Sequence, residues 1–404
     1  MPASRRFTKV AAALAAALFV VSWGLLHVGW YDDYQIIDLP LYEAYGNAIE
    51  SGDVPYRDFR PEYPPGALLA FAVPSVASVH SGGYRWTFEA LMVLCGLAMV
   101  LAVALAARGL RASRARLGGA LALVAGFPLL LGSVVFTRFD LYPAALVAGA
   151  VAALVHRRDR LGFGLLGAAI AVKLYPAVLV PLAAAYVWRR RGRREALVCV
   201  GIAAGIVTLV FLPFLLVAPD GVAYSFGHQL SRPLQIESLG AAFYFAVHHL
   251  LGLDVEVGSG HGSQNLYAKG TGVAAVLLSV VQLATLVWIW MRRPGSPEEL
   301  VRWSAAALVA FVVLGKVLSP QFLIWLVPVV PLVAGLQGLR ASVLLAGSLV
   351  LTQLWFPSRY WDLVDELDPL PSGFVVARDL VLVALLVVLL RGPTDSRRAP
   401  ARSP

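Results

Sequence analysis

Charged residues are scarce in this sequence. Only 14% of its 404 residues are Asp, Glu, Lys or Arg, whereas soluble domains usually carry roughly 25%. Hydrophobic residues make up 59% of the chain, and apolar runs close to the ~18 residues of a membrane-spanning helix recur along it. A soluble enzyme of several domains is therefore excluded, and the sequence predicts a polytopic membrane protein.

Cysteine is nearly absent as well. The two cysteines, Cys95 and Cys199, both lie in apolar runs, and no further Cys, His or carboxylate stands beside them at the spacing of metal ligands. A disulfide framework and a zinc site are therefore excluded. We expect no metal and no other cofactor.

Acidic residues are fewer than basic ones, which gives a net charge of +9. In a soluble chain this charge would suggest a nucleic-acid partner, but basic loops that orient membrane helices produce it equally. Seven clusters hold 23 of the 33 Lys and Arg residues, so we place them in the cytoplasm and expect no nucleic-acid partner. They lie at Arg5 to Lys9, Arg108 to Arg116, Arg157 to Arg160, Arg189 to Arg194, Arg292 to Arg302, Arg340, and Arg391 to Arg402.

The apolar segments between these clusters predict an all-α fold of about twelve membrane helices with both termini in the cytoplasm. We treat residues 1–390 as one membrane domain, in which outer loops 31–66 and 219–267 form the site, and 391–404 as a disordered basic tail. The predicted helices span 10–30, 84–107, 117–136, 141–156, 161–172, 176–188, 195–217, 268–290, 303–317, 320–338, 341–356 and 374–390.

The segment 161–188 could also form a single helix, about 42 Å long at 1.5 Å per residue. One crossing would place Arg189 to Arg194 outside, against the rule that basic loops stay in the cytoplasm. We therefore predict two short helices that meet at Lys173-Leu174-Tyr175-Pro176.

The first outer loop is rich in carboxylates, with eight between residues 31 and 65. Its middle, 40–50, predicts a short amphipathic helix along the membrane surface. Asp38 stands directly before this helix, at the boundary between lipid and water. The apolar side of the helix would consist of Leu41, Ala44, Tyr45 and Ile49.

Several short motifs follow one another along the chain. They are Asp-Leu-x-Leu-Tyr at 38–42, Gly52 with Pro55-Tyr56, Tyr63-Pro64-Pro65, Lys173-Leu-Tyr-Pro176, Arg232-Pro-Leu-Gln-Ile-Glu-Ser238, and Lys316-Val-Leu-Ser-Pro-Gln-Phe-Leu-Ile-Trp325. In this order the sequence resembles glycosyltransferase family 87 of the GT-C superfamily, which is typified by mycobacterial polyprenol-dependent mannosyltransferases. The resemblance covers most of residues 10–390.

The resemblance implies transfer of a hexose, by analogy mannose, from a polyprenyl-phosphate donor to a lipid or glycan acceptor. The reaction would proceed with inversion on the outer face of the cytoplasmic membrane. In that family the Asp of the first loop is taken as the general base, which corresponds to Asp38 here. A carboxylate within hydrogen-bond reach can accept the proton of the attacking hydroxyl. Asp32, Asp33, Asp58 and Glu62 remain alternatives for this role.

A departing polyprenyl phosphate gains negative charge, which cations stabilise. Arg138, Lys173, Arg232 and Lys316 stand at helix ends or in motifs, so we expect them to bind the phosphate, although Asp140 could simply pair with Arg138. The other basic residues on the predicted outer side are more simply explained as loop or headgroup contacts. They are Arg57, Arg60, Arg85, Lys269, Arg359 and Arg378.

The outer loop 219–267 is too long for a simple connection between helices, and long ordered loops often bind ligands. We expect this loop and the motifs to supply the contacts to substrate. The predicted contact residues are Tyr42, Tyr63, Asp140, Tyr175, Gln235, Glu237, His261 and Gln321, with His228, Gln264 and Asn265 as further candidates.

Two other classes of protein fit parts of this pattern. A secondary transporter commonly has twelve helices, but it binds substrate at the midplane between repeated halves. No internal repeat is evident here, and the outer charges gather at helix ends. A non-catalytic scaffold of envelope glycan synthesis is the second alternative.

Overall fold

The computed structural model describes residues 2–78 and 83–391. These residues form an all-α bundle with one small β-hairpin, which confirms the predicted fold class. Apart from Arg391, the predicted basic tail over 391–404 lies outside the described residues.

The first half of the chain forms eleven α-helices, and a 3₁₀ turn at Pro65–Ala67 precedes the fourth. Two of them begin at a serine cap: Ser4 Oγ accepts a hydrogen bond from the backbone NH of Phe7, and Ser113 Oγ accepts one from that of Arg116. The helices are α1 (Arg5–Leu25), α2 (Trp30–Asp33), α3 (Leu39–Glu50), α4 (Leu68–Ala77), α5 (Gly83–Gly109), α6 (Arg114–Leu131), α7 (Val134–Thr137), α8 (Leu141–Val155), α9 (Asp159–Val172), α10 (Val180–Arg191) and α11 (Arg193–Val217).

The second half adds seven helices and the hairpin. Strands β1 (Glu256–Gly260) and β2 (Ser263–Tyr267) pair antiparallel, with Glu256 opposite Tyr267. The helices are α12 (Pro219–Leu230), α13 (Leu239–Leu251), α14 (Thr271–Trp290), α15 (Pro297–Val313), α16 (Gly335–Gln353), α17 (Tyr360–Glu366) and α18 (Pro369–Leu390).

Among the described residues, seven helices are long and apolar enough to cross a membrane. They are α1, α5, α6, α11, α14, α16 and α18. Shorter apolar helices, including α8 and α13, pack among them. The chain is therefore a multi-pass membrane protein, and the number of twelve crossings stays a prediction.

The chain reverses direction between α9 and α10, as the sequence predicted. A 3₁₀ turn over Tyr175–Leu179 separates the two helices. At their far ends Arg190 and Arg191 form salt bridges of 2.6 and 3.0 Å with Asp159. The end of α10 therefore lies beside the start of α9, and the two helices form an antiparallel pair.

The basic clusters gather at one end of the bundle. Hydrogen bonds and a salt bridge connect residues in or next to the different clusters. The bonded pairs are Ala3 with Ala112, Arg116 with Leu332, His156 with Leu105, Arg190 with Asp159, Arg189 with Arg293, Arg302 with Arg391, and Gln337 with Arg391. Since α8, α9 and α15 each start or end here, their other ends define the opposite face.

One predicted helix is wrong. The stretch 320–338 forms 3₁₀ turns at Pro320–Trp325 and Val330–Leu332, and α16 begins at Gly335. Pro320, Pro328 and Pro331 lack the NH that a continuous helix needs, which explains the interruption.

The amphipathic helix of the first loop is present as α3, but its buried side differs from the prediction. Leu39, Tyr42 and Gly46 are buried, whereas Leu41 and Ala44 are exposed. A Cβ atom at position 46 would lie 2.5 Å from the backbone oxygen of Phe71 in α4. Glycine at this position therefore permits α3 to pack closely on α4.

Candidate active site

A cavity of about 630 Å³ opens at the end of the bundle opposite the basic clusters. It lies where α8 begins and where α9 and α15 end. The first loop, the residues after α12, the tip of the β-hairpin and the 3₁₀ turn at Pro320–Trp325 complete its wall. Both predicted outer loops therefore contribute to one site.

Nearly all of the predicted site residues line this cavity. His261 does not: it lies in the turn of the hairpin, where its ring stacks on His228 at 4.6 Å. Of the further candidates, Gln264 lines the cavity, whereas His228 and Asn265 do not. The predicted residues in the wall are Asp38, Tyr42, Tyr63, Arg138, Asp140, Lys173, Tyr175, Arg232, Gln235, Glu237, Lys316 and Gln321.

Asp38 forms a salt bridge with Arg138. Asp38 is the residue before α3, and its backbone oxygen accepts hydrogen bonds from Leu41 and Tyr42. Its side chain does not cap the helix, and it points instead to the Arg138 guanidinium, which is nearly buried. Tyr42 adds a long hydrogen bond of 3.4 Å to the same carboxylate oxygen. The carboxyl group is therefore held in position beside a cation.

A second salt bridge in the wall joins Lys173 to Asp140, and its carboxylate is more deeply buried than that of Asp38. Lys173 Nζ and Trp325 Nε1 each donate a hydrogen bond of 2.6 Å to Oδ1 of Asp140. The lysine ammonium also lies 4.6 Å from the ring centroid of Phe139 and 5.1 Å from that of Trp325. The break between α9 and α10 thus places Lys173 in an aromatic cage beside a buried carboxylate.

Arg232 and Lys316 differ from these two cations. Within residues 2–78 and 83–391, neither forms a salt bridge with a carboxylate. Arg232 donates to the side-chain oxygen of Gln229 at 3.3 Å, and Lys316 donates to the backbone oxygen of Leu230 at 2.8 Å. Burial, followed by the charge of Arg232, lowers the pKa of Lys316. Two neighbouring cations in the cavity wall are thus outside any salt bridge among the described residues.

The other candidates for the base separate by position. Asp32 accepts a hydrogen bond from Gln35, and Asp58 pairs with Arg57; neither carboxylate lines the cavity. Asp33 is exposed and also lies outside the wall. Glu62 does line the cavity, where one of its oxygens is 3.8 Å from His228. Asp38 and Glu62 are therefore the members of the predicted set that face the cavity.

The segment 234–238 is held on both sides. The backbone NH of Gln235 donates to Lys316, that of Ile236 to Gln264, and that of Leu266 to Leu234. Gln235 Nε2 also donates to Ser319 Oγ at 2.9 Å. These bonds fix the segment between the hairpin and the residues before the 3₁₀ turn.

Seven aromatic residues of the wall are absent from the predicted set: Phe226, Phe311, Phe322, Trp325, Phe356, Tyr360 and Trp361. Trp325 and Phe322 stack at 4.0 Å, and Trp325 stacks on Tyr175 at 4.1 Å with an interplanar angle of 2°. Trp325 and Phe322 stand in the motif that starts at Lys316, and this position is the signal that could have found them. Phe356 and Tyr360 also line the cavity, and no sequence pattern marks them.

In the part of the chain that the structure describes, no group of three or more His, Cys, Asp or Glu residues could hold a metal ion. His228, His261 and Glu62 come closest to such a group, but the two rings stack on one another.

Comparison with solved structures identifies the fold. The chain is similar to ArnT from Cupriavidus metallidurans bound to undecaprenyl phosphate, with a TM-score of 0.50 and 15% identity over 96% of this chain and 77% of that chain. The apo structure of the same protein gives a TM-score of 0.49 and 16% identity over 94% and 76% of the two chains. Among the curated proteins none matches. The chain therefore shares the fold of ArnT and is a multi-pass membrane protein with a cavity at one end of its bundle of helices.

The family follows from the sequence model that matches. The model of glycosyltransferase family 87 matches residues 62–320. The chain belongs to this family and is a membrane glycosyltransferase. The match begins at Glu62, so Asp38 and Tyr42 lie outside it and their roles depend on the geometry of the cavity. Membership favours the enzyme over the transporter and the scaffold.

Proposed function

We propose that the protein transfers a hexose from a polyprenyl-phosphate donor to a lipid or glycan acceptor, and that this hexose is mannose. The observation that carries this proposal is the arrangement of charges in one cavity. Asp38 places a carboxyl group in the cavity wall, and Arg232 and Lys316 supply two cations that form no salt bridge within the described residues. A base and an anion site are the two groups that this transfer requires.

In the proposed mechanism the acceptor hydroxyl attacks the anomeric carbon from the face opposite the phosphate. Asp38 accepts the hydroxyl proton as the new carbon–oxygen bond forms. The bond between the anomeric carbon and the phosphate oxygen breaks, and its electron pair leaves with polyprenyl phosphate. One displacement of this kind inverts the configuration of the anomeric carbon.

The phosphate contact is assigned first to Arg232 and Lys316. Arg138 and Lys173 already pair with Asp38 and Asp140, so they could reach a phosphate only by weakening those pairs. Arg138 is better suited to keep Asp38 ionised and oriented, as a positioning residue. The ArnT structure with undecaprenyl phosphate supports a lipid phosphate as ligand of this fold.

We further propose that the cavity opens on the outer face of the cytoplasmic membrane. Basic loops remain in the cytoplasm, and here the basic clusters lie at the end of the bundle opposite the cavity. The donor lipid and the acceptor would then meet outside the cytoplasm.

The test is transfer by the purified protein in liposomes. Radiolabelled polyprenyl-phosphate mannose and polyprenyl-phosphate glucose are supplied with an extract of membrane lipids, and labelled products are separated. We expect a labelled lipid from the mannose donor, with the anomeric configuration opposite to that of the donor. Release or transfer from neither donor would contradict the proposal, and preference for glucose would correct the sugar.

A further inference from the structure

Glu237 is a buried carboxyl group to which the proposed mechanism assigns no role. It lines the cavity and is 2% exposed. Within the described residues its Oε2 atom has no hydrogen-bond partner. Buried polar atoms in folded proteins are almost always paired, so an unpaired carboxyl oxygen in a cavity wall indicates a ligand that bonds to it.

The backbone around Glu237 is held unusually firmly. Its own backbone oxygen accepts a hydrogen bond of 2.6 Å from Arg378 Nη2. On either side, Gln235 is bonded to the backbone of Lys316, and Ser238 donates to Gln235 while it caps α13. A carboxyl group on so rigid a segment loses little entropy when it binds a ligand.

Arg378 itself was expected to be a loop or headgroup contact, and that expectation is wrong. It is fully buried in α18, 2.7 Å from Asp379, and reaches across to the segment of Glu237. A buried charged pair is costly in a membrane protein and is retained where it has a function. Here the pair joins the helix to one wall of the cavity.

The polar groups of the wall fall into two kinds. Arg232 and Lys316 are cations that form no salt bridge within the described residues, which suits a phosphate. Glu237 Oε2, Gln235 Oε1 and the Tyr175 hydroxyl are buried atoms without partner among the described residues and carry no positive charge. Such groups suit the hydroxyls of a sugar, which both donate and accept hydrogen bonds.

The location of Glu237 also fits a sugar site. Arg138 pairs with Asp38, and the charges of Arg138 and Glu237 act on one another. Glu237 therefore lies near the same guanidinium as the proposed base. A sugar whose anomeric carbon is next to Asp38 would bring its ring hydroxyls to this part of the wall.

We propose that Glu237 binds a hydroxyl group of the donor sugar and that Arg378 is the positioning residue that holds it. This inference rests on the proposed function, because it takes the ligand to be a polyprenyl-phosphate hexose. It adds the residue that distinguishes the sugar-bearing lipid from the bare lipid phosphate.

Electrostatics support this assignment. Burial raises the pKa of Glu237 to about 8, against the opposing effect of nearby arginines. At neutral pH the carboxyl group is thus mainly protonated, so it can donate and accept a hydrogen bond without repelling the phosphate. Above pH 8 it ionises, and the affinity for the sugar should fall. The charged and titratable groups around it are Arg378 and Asp379 of α18, Tyr360 of α17, Arg138 and Arg232.

The experiment compares two lipids on the full-length protein in nanodiscs. Tryptophan fluorescence, reported by Trp325 and Trp361 in the cavity wall, gives the Kd of undecaprenyl phosphate and of undecaprenyl-phosphate mannose. Wild-type protein should bind the sugar-bearing lipid about tenfold more tightly, the effect of one or two hydrogen bonds. Glu237→Leu should abolish this preference while the Kd of the bare lipid stays within about twofold.

Two further variants sharpen the result. Glu237→Gln should keep the preference at pH 7 and remove its decline between pH 7 and 9, because the amide does not titrate. Glu256→Leu makes the same change at an exposed glutamate of β1, outside the cavity, and should behave as wild type. Retained binding of bare undecaprenyl phosphate shows in each case that the protein is folded.

The outcomes separate this proposal from the proposed function. Three results would overturn the role of Glu237. The wild-type protein could bind both lipids equally well, or Glu237→Leu could weaken the binding of both lipids equally. The preference for the sugar-bearing lipid could also still decline with pH in Glu237→Gln. Preference for the sugar without transfer in the liposome assay would leave Glu237 a sugar ligand and contradict the transferase mechanism. Transfer of the sugar without preferential binding of the sugar-bearing lipid would support the transferase mechanism and contradict the role of Glu237.

Discussion

The carboxylate of Asp38 has two partners in the structure, Arg138 and the hydroxyl of Tyr42. Replacement by asparagine keeps the size and the hydrogen bond to Tyr42 but removes the capacity to accept a proton. We expect Asp38→Asn to lower kcat by about 10²- to 10⁴-fold, the usual contribution of a general base. Initial rates of sugar transfer in liposomes provide the measurement, with the Kd of the donor expected to change little.

Asp33→Asn is the matched control, because Asp33 stands in the same loop but is exposed and lies outside the cavity wall. It should retain the wild-type rate. Full activity of Asp38→Asn would remove Asp38 as the base, and a large loss in Glu62→Gln alone would transfer the role to Glu62.

Arg232 and Lys316, the two cavity cations outside salt bridges in the described residues, should dominate binding of the lipid phosphate. Arg232→Gln and Lys316→Gln each remove one charge-assisted hydrogen bond, worth about 1.5–3 kcal/mol. We expect each variant to raise the Kd of undecaprenyl phosphate roughly tenfold or more. Isothermal titration or fluorescence titration of the protein in nanodiscs measures the change.

Arg60→Gln is the control for this pair, since Arg60 lies over the ring of Tyr224 at 4.8 Å and does not line the cavity. Its affinity should be that of wild type. If Lys173→Gln weakened phosphate binding more than either Arg232→Gln or Lys316→Gln, the phosphate would have to be placed beside Asp140 instead.

Residue types near helix ends are sufficient to locate much of the cavity wall from the sequence. Asp38, Lys173 and Lys316 can be selected because charged groups are rare outside the basic clusters and stand where helices end. The partners of these groups cannot be selected in this way. The pairing of Arg138 with Asp38 rather than Asp140, and the burial of Arg378, depend on how distant helices meet.

At the scale of elements, the contact of α3 with α4 depends on one glycine. A Cβ atom at position 46 would lie 2.5 Å from the oxygen of Phe71, so the two helices would have to move apart. We expect Gly46→Ala to destabilise the protein by about 1–3 kcal/mol and to lower activity, because α3 starts directly after Asp38. Thermal unfolding in detergent, followed by tryptophan fluorescence, measures the first effect.

Gly201 offers the opposite expectation within the same experiment. It lies inside α11, and a Cβ atom there would contact nothing within 4 Å. Gly201→Ala should leave stability unchanged or raise it by up to about 1 kcal/mol through helix propensity. Equal effects of the two substitutions would show that close packing at position 46 does not matter.

Elements bounded by strong local signals are predicted well. The break between α9 and α10 follows from Pro176 together with the arginines at 189–194, and α3 follows from its amphipathic pattern. The β-hairpin and the 3₁₀ turns at 320–332 are not predicted. Their form depends on the neighbouring segment 234–238 and on prolines within an apolar run, which periodicity alone does not resolve.

At the scale of the molecule, charge is segregated between the two ends of the bundle. One end carries the basic clusters, linked through contacts such as Arg189 with Arg293 and Arg190 with Asp159. The other end carries the cavity, where cations alternate with carboxylates. Low overall charge thus belongs to the lipid-facing helices between the ends, and the positive-inside rule predicts that the basic end faces the cytoplasm.

This orientation can be tested with single cysteines in intact cells. Glu256→Cys places a thiol on the exposed face of β1 near the cavity, and Arg194→Cys places one at the exposed start of α11 beside the basic clusters. A membrane-impermeant maleimide should label position 256 in intact cells and position 194 only after lysis. The native Cys95 and Cys199 lie within α5 and α11, where apolar burial raises the cost of forming the reactive thiolate, so the unmodified protein should give little background. Labelling of position 194 before lysis, with position 256 unlabelled, would reverse the assigned orientation. The cavity and the proposed transfer would then lie on the cytoplasmic face.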